Sequence, residues 1–242
     1  MISLQKPMSD LIIEKKMEEL KKISLKLAIW NLAEEALVLI ILLIFFIGSN
    51  PALNESNMKA FTVWNCVMYA ALLPIVYCLW FKFFRNMKDA YPDDINISYA
   101  TRIGIIAIIL YSIAAALGLI ATVFDAFIIT PDNFGCDFHA HGIIPKNNVG
   151  MRCNDLILGA GFLMSLMFYF LIKSTKPNSY MRVLTVILAL KVPIQIAVFL
   201  IPASKFLVSL MYLYFIVEFL FLIQIYKGYE FGQPKIEADQ EE

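Results

Sequence analysis

The chain has 242 residues, 60% of them apolar, and its 20 Lys and Arg balance 20 Asp and Glu for a formal net charge of zero. An apolar share above the roughly 45 to 50% of globular chains, with a mean hydropathy of +0.71, argues against a water-soluble domain, and a balanced charge gives no support to nucleic-acid binding. The lipid bilayer is the expected solvent for most of the molecule.

Residues 1–27 form the first division. The first apolar run begins after these mostly polar residues and has no convincing small-residue cleavage site, so it reads as a signal anchor rather than a cleaved leader. Within Ser9 to Leu27, Ile13, Met17, Leu20, Ile23 and Leu27 recur at steps of three and four with lysines between them, the pattern of an amphipathic helix. Such a helix either lies on the cytosolic membrane surface or extends the first span as a solvated rod.

Residues 28–226 carry six apolar runs: Ala28 to Gly48, Phe61 to Phe81, Ile103 to Ile129, Asp155 to Ile172, Val183 to Ile201 and Phe206 to Tyr226. At 1.5 Å rise per residue, about 20 apolar residues cross about 30 Å of hydrocarbon, and each run meets or nears that length. The expected fold is an all-α bundle of six transmembrane helices. Outside the spans, fifteen Lys and Arg fall before span one, in the loop Lys82 to Arg102, between Lys173 and Arg182, and in the tail; only Lys59, Lys146, Arg152 and Lys205 fall on the other side. Positive residues stay in the cytosol, so both termini are expected there, in an endomembrane or the plasma membrane. Residues 227–242 are a cytosolic tail whose acidic end, Glu237 to Glu242, reads as disordered.

Two external loops follow from this topology. The first holds Asn54-Glu55-Ser56, an N-glycosylation acceptor on the correct side; Asn96-Ile97-Ser98 would be cytosolic and unmodified. The second, Thr130 to Asn154, is rich in Pro, Gly and Asn and is expected to lack regular structure. Cys136 and Cys153 bracket it with sixteen residues between them. A disulfide between them is expected, contributing roughly 3 kcal/mol by restricting the unfolded chain; two free thiols are the alternative. Cys66 and Cys78, about 18 Å apart along one helix, cannot pair with each other and read as buried fillers. His139 and His141, with Cys136 and Asp137, make a weak candidate metal site, since loop histidines are usually only solvated. Lying outside the bilayer, they cannot supply intramembrane haem ligands, and no cofactor is expected.

Ionisable groups within spans cost on the order of 3 kcal/mol and need a partner or a purpose. Asp125 is set aside, because span three is long enough to leave it at the outer interface. Glu34 and Glu35 lie about 10 Å from the cytosolic ends of their spans, Glu218 about 12 Å and Lys191 about 13 Å. Spans five and six are joined only by Pro202 to Lys205, so Lys191 is expected to meet Glu218 across their interface. Gln195 and Tyr214 extend this polar stripe at four-residue spacing. Pro193 should break span five near the charge by clashing with the carbonyl of Ala189, and Pro74 should act likewise in span two. One lysine cannot neutralise three carboxylates, so at least one is expected to be protonated, hydrated or matched by another subunit.

Ala114, Gly118 and Thr122 form a small-residue ridge in span three, and Gly159 and Gly161 thin span four opposite it, so these spans are expected to pack closely. No Walker loop, nucleophile elbow, His-Glu-x-x-His or Cys-x-x-Cys occurs. Asp89, Asp93 and Asp94 could bind a divalent metal and a phosphorylated head group, but such a run is more often a solvated turn. No internal repeat divides the chain into matching halves. The expected role is therefore a non-catalytic scaffold or accessory subunit with a membrane-protein partner or a second copy of itself. The alternative is a small ion- or proton-coupled transporter or channel subunit using Lys191, Glu218, Glu34 and Glu35.

Overall fold

The computed structural model describes residues 8–42, 71–128, 136–139, 142–145, 148–191, 193 and 205–232. Among these, six helices form: α1 (Met8–Leu42), α2 (Leu73–Ala90), α3 (Ile95–Ile128), α4 (Asn148–Lys173), α5 (Tyr180–Ala189) and α6 (Lys205–Tyr226), with a two-stranded hairpin of β1 (Cys136–His139) and β2 (Gly142–Pro145) between α3 and α4. Each helix packs on the next in the chain, and α1 also packs on α6, so the six close into a ring.

Directions alternate around that ring, as the contacts at one end make plain. Tyr91, just past α2, accepts from the amide of Phe231, just past α6 (3.2 Å). Ser174, just past α4, donates to Asp94 at the start of α3 (2.9 Å). Tyr229 accepts from the amide of Lys176 (2.9 Å) and lies 3.4 Å from Ser179, the N-cap of α5. The amide of Gly232 reaches the carbonyl of Ser174. The short loops and the segment after α6 thus lock together at the end where Lys and Arg concentrate. Phe231 is buried against Tyr91, Tyr229 and Phe221. Burial pushes the Tyr91 hydroxyl up to about 12.

Two helices are long and apolar enough to cross a membrane, through Ile95–Ile120 and Leu156–Lys173; Tyr180–Ala189 and Tyr214–Tyr226 are shorter apolar helices. Only 33% and 39% of the two longer stretches is buried. Ile106, Ile109, Ile113 and Ile120 of α3 and Phe162 of α4 face outward, and a helix apolar on its outer face as well as its inner one suits lipid.

Several sequence expectations change in three dimensions. The N-terminal amphipathic segment is no separate surface helix but one rod with the start of span one, 35 residues long. Its apolar stripe packs inward on α2 and α6: Leu20, Ser24, Leu27 and Ala28 are buried, while exposed Lys22 and Glu18 pair on the outside. Hydrogen bonding and attraction to Lys22 hold Glu18 below the usual carboxylate range. Pro74 sits in the first turn of α2, and helical geometry is interrupted at residue 72 just before it, as a proline break in that apolar run requires. Pro193 acts as expected: regular α5 ends at Ala189, four residues before it. Cys78 is exposed on the outer face of α2 rather than buried, because Tyr77, Trp80 and Phe84 take the inward positions.

The connection between α3 and α4 contains regular structure where none was expected. β1 and β2 pair antiparallel with Cys136 opposite Pro145 and His139 opposite Gly142, and α4 begins at Asn148. Phe138, Ile143 and Ile144 supply strand propensity that outweighs the flanking Pro and Gly. Asp94 is not a merely solvated turn residue. As the N-cap of α3 it accepts from the amides of Asn96 and Ile97 (2.9 and 3.0 Å), satisfying donors that a helix start leaves open.

α3 and α4 are neighbours, as expected, and Ala114 and Gly161 are buried, but Gly118 and Gly159 are not tight contacts: a methyl group at either would meet nothing within 4 Å. The glycine that matters is Gly104 of α3. A Cβ there would lie 2.6 Å from the ring of Phe84 on α2, and that ring is fully buried between Trp80 and Phe83.

Candidate functional site

Polar and ionisable side chains converge inside the ring. On α1, Asn31 and Glu34 are three residues apart and share the inward face; Glu34 is buried. On α6, Glu218 is buried, and Tyr214 is buried one turn from it. Lys191 follows the break after α5 and is also buried, at 7% exposed. The sequence expectation that these groups occupy one level along the bundle concerns the helix axes; how they meet depends on the rotation of each helix.

Lys191 and Glu218 border a common cavity lined also by Tyr77 and Trp80 of α2, Tyr111 of α3, and Ser165 of α4. Five of the six helices therefore contribute to its wall. The space left is about 20 Å³, room for a single water. Lys191 and Glu218 attract each other across it, yet the ion pairs among the described residues lie elsewhere, on α1. The closest partner of Glu218 is Asn31, whose Nδ2 donates to Oε1 at 2.6 Å. The ammonium of Lys191 lies 5.8 Å from the centre of the Phe215 ring, within cation–π range. Glu34 lies on the same inward side, near Glu218. The hydroxyl of Tyr214 is buried without a hydrogen-bond partner.

The arrangement is a cluster of two carboxylates, one amine and one amide rather than a simple pair. Asn31 was not expected from the sequence, though its position three residues before Glu34 was the signal that could have found it. Tyr77, Tyr111 and Ser165 were likewise missed, since uncharged polar residues are common in apolar spans and carry little signal alone. Gln195, His141 and Asn54 lie outside the described residues. Glu35, Asp125, Cys136, His139 and Cys153 fall on described helices or strands, but their side chains lie outside what is described. Among the described residues no disulfide forms, and no three His, Cys, Asp or Glu side chains gather in a way that would hold a metal ion.

No protein-family model, curated protein or solved structure matches this chain.

Proposed function

We propose that this chain is a multi-pass integral membrane protein with six spans, both termini cytosolic, and a non-catalytic role as a scaffold or accessory subunit for other membrane proteins or for a second copy of itself. The observation that carries this reading is the enclosure of the charged cluster. About 20 Å³ among Lys191, Glu218 and their neighbours is far below the roughly 300 to 1,000 Å³ of ligand pockets, and the Asn31–Glu218 hydrogen bond fastens helices to each other. Tyr99, Tyr169, Tyr180 and Tyr226 support the membrane setting. All are about half exposed and lie near the ends of α3, α4, α5 and α6 that gather at the basic side, as an interfacial aromatic belt does. Glycan attachment at Asn54, and its loss in Asn54→Gln, tests the orientation.

The second reading, a small ion- or proton-coupled transporter or channel subunit, draws on a different observation: helical continuity breaks beside Lys191, and two buried acids face its single amine. Broken helices beside charged groups suit substrate or ion passage. Vesicles reconstituted with the wild-type chain and with Lys191→Met separate the readings. A scaffold leaves ion and proton flux at the level of empty vesicles in both; flux above that level, lost in Lys191→Met, would replace it with the transport reading.

A further inference from the structure

Away from the central cluster, the outer surface of the ring carries a groove of about 590 Å³ between α2 and α3. Its walls are almost wholly apolar, with Leu73 and Leu119 at one end and Lys82 at the other, and Cys78, Ser112 and Ala116 open along its length. From Leu73 to Lys82 the helix rises about 14 Å, close to half of a hydrocarbon core about 30 Å thick. Lys82 points outward one helical turn inside the level of Tyr99, a depth from which a lysine stem extends its ammonium to the interface.

We propose that this groove holds one acyl chain of an anionic glycerophospholipid from the leaflet at the basic end, with the lipid phosphate on the Lys82 ammonium. The inference rests on the membrane reading above and deepens it. Two features argue for this occupant over a helix or a second copy: its lining is apolar, and its single charge stands at the end where a headgroup would be. The exposed cations Arg85 and Lys88 continue the same helix toward the basic end and favour an anionic headgroup.

The full chain, purified in mild detergent, is titrated with phosphatidylglycerol and with phosphatidylcholine of identical acyl chains and read by native mass spectrometry. One high-affinity phosphatidylglycerol per chain is expected, held about fivefold more tightly than phosphatidylcholine, the effect of one well-placed lysine near a membrane surface. Lys82→Gln should abolish the preference and Lys82→Arg should keep it. Ala116→Phe, an outward substitution that fills the groove, should weaken both lipids. Equal retention of the two lipids, a preference untouched by Lys82→Gln, or indifference to Ala116→Phe would each overturn the lipid site while leaving the membrane reading in place. Recovery of the chain from cells without detergent would overturn both.

Discussion

Asn31 and Glu218, 187 residues apart in the chain, meet at 2.6 Å and tie the first helix of the ring to the last. A hydrogen bond to a carboxylate inside an enclosed bundle is worth more than one between neutral groups. Replacing Asn31 with Leu is expected to lower stability by about 2 kcal/mol, measured by reversible denaturant unfolding in detergent micelles. An unchanged unfolding midpoint would show that the contact does not hold the ring closed.

The same geometry ranks the partners of Glu218. A double-mutant cycle with Asn31→Leu and Glu218→Leu should give a coupling of roughly 1.5 kcal/mol or more, while the cycle with Lys191→Met and Glu218→Leu should stay below about 1 kcal/mol. Lys191 and Glu218 share a cavity without a place among the described ion pairs. The reverse order would mean that the amine is the dominant partner after all.

Gly104 and Gly118 make opposite predictions from one substitution. Gly104→Ala drives a methyl group to 2.6 Å from the Phe84 ring, which is fully buried against Trp80 and Phe83. The expected loss is about 1 to 3 kcal/mol, partly recovered by adding Phe84→Leu. Gly118→Ala meets open space and should leave stability unchanged or raise it by up to about 1 kcal/mol through helix propensity. Thermal unfolding of the two variants side by side checks both signs.

The locked end should open in alkali. Burial raises the Tyr91 hydroxyl from 10.0 to about 12. The neutral phenol is therefore favoured in the folded state, and its contribution, present in full below pH 10, declines as pH rises toward 12. Limited proteolysis after Phe231 should accelerate across that window in the wild type. Tyr91→Phe, which cannot ionise, should lose that step in the pH profile. An identical profile in both proteins would assign the opening to another group.

The apolar helices were legible in the sequence because length and apolarity are properties of each segment by itself. Whether twenty consecutive residues tolerate hydrocarbon is decided locally, and the gathering of Lys and Arg at alternate ends is likewise a one-dimensional pattern. Among the described residues, α3 and α4 meet the length and apolarity of a membrane span. The axial levels of Lys191, Glu218 and Glu34 could be read for the same reason, since depth follows from counting residues at a fixed rise. Pro193 was legible because its effect reaches only one turn back.

What only the tertiary structure decided is rotation and order. Whether Leu20 faced lipid or protein depended on α2 and α6 taking the places on either side of α1. That Glu218 takes a hydrogen bond from Asn31 instead of an ion pair with Lys191 depended on the ring closing between α1 and α6, which no local pattern encodes. Gly104 matters and Gly118 does not because a large aromatic ring on a neighbouring helix happens to face one and not the other. A sequence specifies each helix and how deep its charges lie, but the partner a buried group meets is set by the packing of side chains far apart in the chain.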